Sequence, residues 1–318
     1  MAHRIIVAQP IDRTVLTRLE ALGQVYMNPG PEPLEPADLR RLCEGSQALM
    51  AFMTERVDEA LLSAAPDLKI VAGAFKGFDN VDLDACARHQ VAFTYVPDLL
   101  TKPTAELALG LMIALARNMR AGDAHIRSGD FHGWRPHLYG GSLDGATVGV
   151  LGAGKVGQAL LLLLAGFDCT RICYDQAPLG PELLAELKAD QVGLAELQAR
   201  ADFVVLGLPL TPQTTGLVDA AFIAGMRPGA RLINPARGSV VVEAAVVGAL
   251  ASGHLAGYAA DVFEMEDWAR PDRPLSVHPD LLSAPNTFFT PHIGSAVVET
   301  RRAIEDAAAE EIIKALAE

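Results

Sequence analysis

The sequence lacks the features by which membrane-spanning and secreted proteins are recognised. Half of its 318 residues are hydrophobic, yet no apolar run is long enough to cross a bilayer, including the longest, which passes through residues 160–164. The N-terminal segment MAHRIIVAQP leads straight into a predicted strand and has no apolar core or cleavage site of a signal peptide. We therefore expect a cytoplasmic protein.

Positive charge is scarce as well. Lys and Arg number 26 against 39 Asp and Glu, which gives a formal net charge of −13. Because nucleic acids and anionic membranes would be repelled by this charge, we expect neither as a partner. A small anionic substrate would need a locally positive pocket.

Cysteine occurs only at Cys43, Cys86, Cys169 and Cys173, and no two of these form a CxxC pair. We interpret all four as reduced, which is typical of a reducing compartment. The eight histidines do not combine with cysteines or carboxylates at metal-ligand spacing. We therefore expect no metal site.

A glycine-rich segment in the middle of the chain carries the strongest functional signal. A short apolar run precedes Gly152, Gly154 and Gly157, which form the pattern GxGxxG, and a helical apolar run and a second strand follow. In a dinucleotide-binding unit these glycines allow a tight turn, close approach to a pyrophosphate, and close packing of helix on sheet. The N–H groups around Lys155 and Val156 would point at the anion. A glycine turn in another kind of α/β protein is the alternative.

Asp175 lies at the predicted end of the second strand of this unit, eighteen residues after Gly157. A carboxylate there can accept hydrogen bonds from the adenosine ribose and would repel a 2′-phosphate. Gln176 follows and no arginine is adjacent. The sequence therefore predicts NAD in preference to NADP.

The fold class is predicted as α/β, with two doubly wound parallel-sheet, Rossmann-like domains. Residues 1–98 with 295–318 form the predicted substrate or catalytic domain, and residues 99–294 the NAD-binding domain. A single long helix is predicted from Thr104 to Ser128, before an aromatic loop. The cleft between the domains is the expected ligand site. The predicted strands are Arg4 to Ala8, Gln24 to Met27, Ala48 to Met53, Lys69 to Ala74, Val91 to Tyr95, Ala146 to Leu151, Phe203 to Leu208, Ala230 to Asn234, Gly257 to Val262 and Thr287 to Thr290.

Three polar residues follow strands of the second predicted sheet, where ligands of such sheets bind. Arg237, in NPARGS, offers a fixed fork of donors for an oxyanion. His292, in TPHIGS, suits proton transfer, and Glu266, in DVFEMED, could orient it. The competing interpretations are a surface arginine, a structural histidine and a solvated glutamate.

The order of GxGxxG, ARGS, DVFE and TPHIGS resembles the D-isomer-specific 2-hydroxyacid dehydrogenase family over nearly the whole chain. Within that family, several longer segments resemble the phosphonate (phosphite) dehydrogenases, which oxidise phosphite to phosphate with NAD and water. These segments are MAFM at 50–53, KGFDN at 76–80, VPDLLTKPTAEL at 96–107, YAADVFEMEDWAR at 258–270 and PHIGSAV at 291–297.

The resemblance implies that Arg237 binds the substrate, His292 is the base and Glu266 is its partner. It implies a homodimer built by the long helix and the aromatic loop. It also implies substrate-binding roles for Lys76, Met53, Trp134, Tyr139, Ser295 and Arg301, and cofactor contacts from Thr104, Leu208, Pro209, Pro235, Ala236, Asp261 and Gly294.

Lys76 is the residue that distinguishes phosphite from a carboxylate as the expected substrate. Phosphite near neutral pH is largely a dianion, for which a second cation besides Arg237 would be favourable, whereas a monoanionic carboxylate needs only one. The first expectation is therefore phosphite oxidation. The alternatives are a 2-hydroxyacid dehydrogenase that acts on glyoxylate or hydroxypyruvate, and a non-catalytic NAD-sensing protein. A solvent-facing loop lysine is the simpler interpretation of Lys76.

Overall fold

The computed structural model describes residues 3–317, which divide into two compact units. The first unit contains the described residues up to Leu100, together with Trp268–Asp272 and residues 296–317. The second contains Thr101–Asp267 and Arg273–Ser295.

Strands and helices alternate through both units. The strands are β1 (His3–Val7), β2 (Gly23–Met27), β3 (Ala48–Ala51), β4 (Ile70–Gly73), β5 (Ala92–Thr94), β6 (Thr147–Leu151), β7 (Thr170–Tyr174), β8 (Asp190–Gln191), β9 (Phe203–Leu206), β10 (Ala230–Asn234), β11 (Leu255–Ala260) and β12 (Thr287–Phe289). The helices are α1 (Arg13–Glu20), α2 (Pro36–Cys43), α3 (Glu59–Ala64), α4 (Leu83–Arg88), α5 (Thr101–Ala116), α6 (Met119–Arg127), α7 (Lys155–Leu163), α8 (Pro181–Leu187), α9 (Leu194–Arg200), α10 (Ala220–Gly225), α11 (Glu243–Ala251), α12 (Pro279–Ser283) and α13 (Val298–Ala317).

The first unit is built on a parallel sheet with strand order β2-β1-β3-β4-β5. β3 and β4 are completely buried, which agrees with their continuous apolar sequences ALMA and IVAG. The C-terminal helix α13 packs against β3, β4 and α1, and its Ile304, Ala308 and Ile312 are part of the same core. Helix α13 therefore belongs to the first unit.

The second unit is built on a seven-stranded parallel sheet with order β12-β11-β10-β9-β6-β7-β8. The chain order reverses between β6 and β9, which is the switch point where ligands of such sheets bind. α5 and α7 pack against each other, and α5 also lies on β10, β11 and β12. The prediction of two parallel-sheet, Rossmann-like α/β domains is confirmed.

The prediction of one helix from Thr104 to Ser128 is wrong. The structure has two helices, α5 and α6, with a break at Asn118, whose backbone is left-handed at φ 51°. Asn tolerates this conformation better than most residues, and its side-chain amide donates to the carbonyl oxygens of Leu138 and Tyr139. The break is thus stabilised by the aromatic loop that follows α6, which the helical periodicity cannot reveal.

Candidate active site

The glycine loop between β6 and α7 has the geometry of a dinucleotide-binding turn. Gly152 has a positive φ of 100°, and a β-carbon on Gly157 would lie 2.2 Å from the carbonyl oxygen of Gly152. Both positions therefore require glycine for the turn and for close helix packing. A β-carbon on Gly154, in contrast, would meet no heavy atom within 4 Å. The open space beside Gly154 fits a pyrophosphate in contact with the backbone.

Helix α7 begins directly after this loop, with Gly154 at its N-cap and no side-chain cap. The backbone N–H groups of the first turn, which includes Lys155 and Val156, are therefore oriented as an anion site.

Gly207, which follows β9, was missed in the sequence analysis. A β-carbon there would lie 2.6 Å from the carbonyl oxygen of Gly152, so the loop also requires a glycine on the neighbouring strand.

Asp175 follows the last residue of β7, as expected from the sequence. Its Oδ2 accepts a hydrogen bond of 2.9 Å from the N–H of Ala153, inside the glycine loop. Its Oδ1 accepts from the N–H of Ala177 at 3.3 Å. The carboxylate predicted to bind ribose is therefore held against the predicted pyrophosphate loop.

The other predicted cofactor residues occupy the same carboxyl edge of the second sheet. Leu208 and Pro209 follow β9, Pro235 and Ala236 follow β10, Asp261 follows β11, and Gly294 lies beyond β12. Thr104 belongs to α5, and a β-carbon on Gly294 would lie 3.4 Å from its hydroxyl oxygen. Parallel strands bring these separate segments to one edge, on the side where the glycine loop lies.

Asp261 is buried and connects the ends of β11 and β12. Its carboxylate accepts hydrogen bonds from the Thr290 hydroxyl at 2.5 Å and from the N–H groups of Ile293 and Gly294, each at 2.8 Å. Burial raises the pKa of the Asp261 carboxyl, although these hydrogen bonds favour its charged form and act in the opposite direction. Asp261 thereby fixes the turn that carries His292.

Glu266 and His292 are brought together in the second unit. Nδ1 of His292 lies 2.6 Å from Oε2 of Glu266, and each side chain is about one quarter exposed. Because an ionised carboxylate can only accept, Nδ1–H donates and Nε2 remains for a substrate. The backbone of His292 is left-handed at φ 56°, and its N–H donates to the carbonyl oxygen of Asp261 at 2.7 Å. This uncommon conformation is enforced by the turn and sets the direction of the ring.

Arg237 lies in the turn after β10, at the start of the 3-10 segment Gly238–Val240. The amide of the buried Asn234 holds this turn: its Oδ1 accepts from the N–H of Ala236 at 3.1 Å, and its Nδ2 donates to the carbonyl oxygen of Arg237 at 2.9 Å. The sequence analysis missed Asn234. An asparagine at a strand end before a Pro-Ala-Arg-Gly turn is the signal that could have identified it.

Three predicted substrate residues lie in the first unit. Met53 follows β3, Lys76 follows β4, and both are half-buried. Arg301, on α13, has its guanidinium 5.8 Å from the ring centroid of Phe52 and donates to the carbonyl oxygen of Ala74 at 3.4 Å. Burial lowers the pKa of Arg301, and the nearby Glu305 opposes that effect. Met53 and Lys76 thus follow the carboxyl ends of β3 and β4, and Arg301 contacts the residues Phe52 and Ala74 at the same two strand ends.

The loops after β3 and β4 are connected by the buried Asn80, which the sequence analysis also missed. Its Nδ2 donates to the carbonyl oxygens of Phe52, at 3.2 Å, and Glu55, at 2.6 Å. The Glu55 carboxylate in turn accepts from the Phe52 N–H and the Thr54 hydroxyl, each at 2.6 Å. The segment that contains Met53 is therefore fixed to the loop that contains Lys76.

The remaining predicted substrate residues differ in exposure. Ser295 is buried at the end of the second unit. Trp134 and Tyr139 lie in the loop between α6 and β6 and are 76% and 73% exposed.

Within residues 3–317, no group of three or more His, Cys, Asp or Glu side chains could hold a metal ion. Over the same residues, no helix has the length and apolarity that a bilayer crossing requires.

Comparison with known proteins identifies what this arrangement is similar to. Residues 109–294 match the family described as D-isomer specific 2-hydroxyacid dehydrogenase, NAD binding domain. A glyoxylate reductase of Pyrococcus furiosus is 33% identical over 318 residues, which cover 98% of this chain and 92% of that protein.

Two solved structures extend the similarity. A protein of Thermus thermophilus has a TM-score of 0.90 and 34% identity, covering 99% of this chain and 97% of that one. The NADPH-dependent glyoxylate/hydroxypyruvate reductase of Sinorhizobium meliloti, solved with NADP and malonate, has a TM-score of 0.83 and 30% identity, covering 98% and 93%.

These relatives contradict the expectation of phosphite oxidation. The Pyrococcus furiosus and Sinorhizobium meliloti proteins are named glyoxylate and glyoxylate/hydroxypyruvate reductases, not phosphonate dehydrogenases. The physical argument for phosphite depended on the single charge of Lys76, and a lysine in a loop is compatible with a carboxylate substrate as well. ARGS, DVFE and TPHIGS point to the whole family and do not distinguish its substrates.

Proposed function

Because the chain belongs to the D-isomer-specific 2-hydroxyacid dehydrogenase family, we propose that it reduces small 2-oxo acids, glyoxylate and hydroxypyruvate, to the corresponding 2-hydroxy acids. The observation that carries the proposal is the 2.6 Å hydrogen bond between Glu266 and His292, on the same sheet edge as the Arg237 turn and the glycine loop. The net reaction consumes one 2-oxo acid, one reduced cofactor and one proton.

Arg237 binds the carboxylate of the 2-oxo acid. Its planar guanidinium can donate two parallel hydrogen bonds to a carboxylate, and Asn234 fixes the backbone from which it extends. One such cation neutralises the single charge of glyoxylate within a protein of net charge −13.

His292 delivers the proton. In its protonated form, Nε2–H donates to the carbonyl oxygen of the substrate and transfers its proton as negative charge develops there. Glu266 stabilises the imidazolium through Nδ1 and keeps the ring in one orientation. In the reverse reaction the same pair removes the proton of the substrate hydroxyl.

A nicotinamide dinucleotide supplies the hydride when it is bound. The glycine loop, the first turn of α7 and Asp175 are the residues that would hold it, and the open space beside Gly154 fits that role. We further propose NAD in preference to NADP, since the Asp175 carboxylate would repel a 2′-phosphate. The Sinorhizobium meliloti relative is NADPH-dependent, so the support for NAD comes from Asp175 and not from the shared fold.

Lys76, Met53, Arg301, Ser295, Trp134 and Tyr139 are proposed as further substrate-binding residues. The support is the position of Met53 and Lys76 after β3 and β4, and the contact of Arg301 with the ends of the same strands. A small carboxylate substrate needs few such groups, so we expect their individual effects on KM to be smaller than that of Arg237.

A homodimer is also proposed. Met119, Ile126, Phe131, Trp134 and Tyr139 are large apolar side chains exposed along α6 and the loop after it. Exposed large apolar side chains that are grouped in one segment commonly mark an interface. Light scattering on a size-exclusion column is expected to show a dimer for the wild type and a shift to monomer for the double variant Trp134→Ser, Tyr139→Ser. A monomeric wild type would refute this part of the proposal.

Spectrophotometry of NADH at 340 nm tests the function. We expect glyoxylate and hydroxypyruvate to be reduced by the purified chain, and Arg237→Gln to raise the KM of glyoxylate strongly with little change in NADH affinity. The surface variant Arg200→Gln, which removes a helix-surface ion pair with Glu196, serves as the control. NADH binding without turnover of either substrate would favour a non-catalytic NAD-sensing protein and reject our proposal.

A further inference from the structure

We propose that Asp267 is a positioning residue, which couples the turn that carries Arg237 to the turn that carries Glu266. The inference rests on the proposed function, because it assigns to Asp267 the alignment of the substrate-binding arginine with the proton-transfer pair. Asp267 was not singled out in the sequence, where it is one of several acidic residues in EMED.

The direct observation is a buried hydrogen bond. Oδ2 of Asp267 accepts the N–H of Ser239 at 2.6 Å, and the two residues are only 3% and 1% exposed. Ser239 is two residues after Arg237, and Asp267 directly follows Glu266. A short charge-assisted bond in a buried environment is strong and strongly directional.

The two turns are in close backbone contact at this point. A β-carbon on Gly238 would lie 1.9 Å from the carbonyl carbon of Phe263 and 2.4 Å from the nitrogen of Glu264. The 3-10 segments Gly238–Val240 and Glu264–Glu266 therefore touch without an intervening side chain. At this contact the Ser239–Asp267 hydrogen bond links the first segment to the residue that follows the second.

The Glu266 turn is anchored on its other side. The buried Glu243 carboxylate accepts from the N–H of Glu264 at 3.0 Å and from the N–H of His278 at 2.8 Å. Arg273 Nε donates to the carbonyl oxygen of Met265 at 2.9 Å. These hydrogen bonds hold the Glu266 turn without the help of Asp267. The Asp267 carboxylate can therefore hold the Arg237 turn in a fixed position relative to the Glu266 turn.

A continuous series of hydrogen bonds results, all within the second unit. Asn234 holds the Arg237 turn from one end and Asp267 holds it from the other. Within the Glu266 turn, Oε1 of Glu266 accepts from the N–H of Phe263 at 2.8 Å, which leaves Oε2 for His292. Loss of the Asp267 carboxylate would loosen the Arg237 turn at one end while the Glu266–His292 pair keeps its own support.

The first measurement is kinetic. Asp267→Ala is expected to lower kcat/KM for glyoxylate by roughly 10- to 100-fold, mainly through KM, since small displacements of positioning groups have effects of this order. Asp267→Asn retains an acceptor without the charge and should fall between the wild type and Asp267→Ala. The dissociation constant of NADH should not change. Asp168→Asn, on an exposed loop of the same unit, is the matched control.

A double-mutant cycle separates positioning from a general structural role. If Asp267 acts through Arg237, then Asp267→Ala combined with Arg237→Lys should be hardly worse than Arg237→Lys alone. Multiplicative losses in kcat/KM would show that Asp267 acts independently of Arg237 and would overturn the inference. An unchanged kcat/KM in folded Asp267→Ala would overturn it as well.

Hydrogen exchange provides a readout that needs no substrate. Peptides covering residues 237–241 should exchange faster in Asp267→Ala and at an intermediate rate in Asp267→Asn, while peptides of β6 remain protected as in the wild type. Unchanged exchange at 237–241 would overturn the inference. If the wild type fails to reduce any 2-oxo acid, the proposed function is wrong. The hydrogen-exchange measurement still decides whether Asp267 holds the Arg237 turn.

Discussion

Gly157 lies directly against the carbonyl oxygen of Gly152, so that a β-carbon at position 157 would come within 2.2 Å of it. Gly154, between them, faces open space on the side where its own β-carbon would project. Two glycines of one loop are therefore required by the fold, whereas at the third the fold itself leaves room for a side chain.

This difference predicts opposite phenotypes for two similar variants. Gly157→Ala is expected to destabilise the protein by about 1 to 3 kcal/mol through overpacking. Gly154→Ala should retain the wild-type Tm but weaken NADH binding by at least about tenfold, equivalent to about 1.4 kcal/mol. Gly166→Ala, where a β-carbon also meets no heavy atom within 4 Å, is the control. Calorimetry and NADH fluorescence titration measure both properties, and unaltered affinity in Gly154→Ala would contradict the assignment of the loop.

Asp175→Asn tests the cofactor preference. The amide oxygen can still accept the Ala153 N–H, so the loop should persist, while the charge that repels a 2′-phosphate is removed. We expect the ratio of kcat/KM for NADH over NADPH to fall by about tenfold. Asp190→Asn, on the neighbouring strand, should leave the ratio as in the wild type. An equal ratio in Asp175→Asn and the wild type would show that another residue sets the preference.

Asn80→Ala tests the connection between the loops after β3 and β4. The variant leaves two buried carbonyl oxygens without a donor, which should cost about 1 to 3 kcal/mol of stability. If Met53 and Lys76 bind substrate, the KM of glyoxylate should rise while NADH affinity is preserved. Ser63→Ala, at an exposed site of the same unit, is the control. Reduced stability with an unaltered KM of glyoxylate would show that these loops do not contribute to substrate binding.

Glu55 is expected to make the stability of the protein depend on pH. Burial raises the pKa of its carboxyl above 4.5, against the opposing hydrogen bonds from Thr54 and Phe52. The folded state therefore binds the proton more tightly than the unfolded state. Its stabilising contribution is complete below the unfolded pKa and is lost as the pH rises through the folded pKa.

The variant Glu55→Gln does not titrate at this position. The free energy of unfolding of the wild type minus that of Glu55→Gln should therefore be smaller at neutral pH than at pH 4.5, because the raised pKa favours the folded state only while the carboxyl is protonated. Urea unfolding at both pH values measures the difference. Glu44→Gln, at an exposed site, should show no such trend. An increase with pH would contradict the direction of the shift.

Local signals in the sequence were sufficient for the main architecture. The glycine pattern and the apolar runs predicted the loop after β6 and the carboxyl edge on which Arg237 and His292 lie, because strand ends are marked by Pro and Gly. The break at Asn118 escaped prediction, since α6 continues the helical periodicity of α5. The carbonyl oxygens of Leu138 and Tyr139, which accept from the Asn118 side chain, lie 20 and 21 residues away in the chain.

Residues that act on distant backbone groups were not predictable. Asn80 is 28 residues from Phe52 and Asp267 is 28 residues from Ser239, so neither contact leaves a periodic pattern in the chain. The substrate was mispredicted for a related reason. The charge of Lys76 is visible in the sequence, but the surroundings of Lys76 in the folded chain are not.

The most direct test of the central claim is the rate of NADH oxidation with glyoxylate for the wild type, Glu266→Gln and His292→Asn, with His89→Gln as the control. We predict reduction by the wild type and the control. Loss of kcat/KM should be at least about 100-fold in His292→Asn and smaller in Glu266→Gln, with NADH affinity unchanged in both. Wild-type rates in His292→Asn would show that another group delivers the proton and would contradict the account.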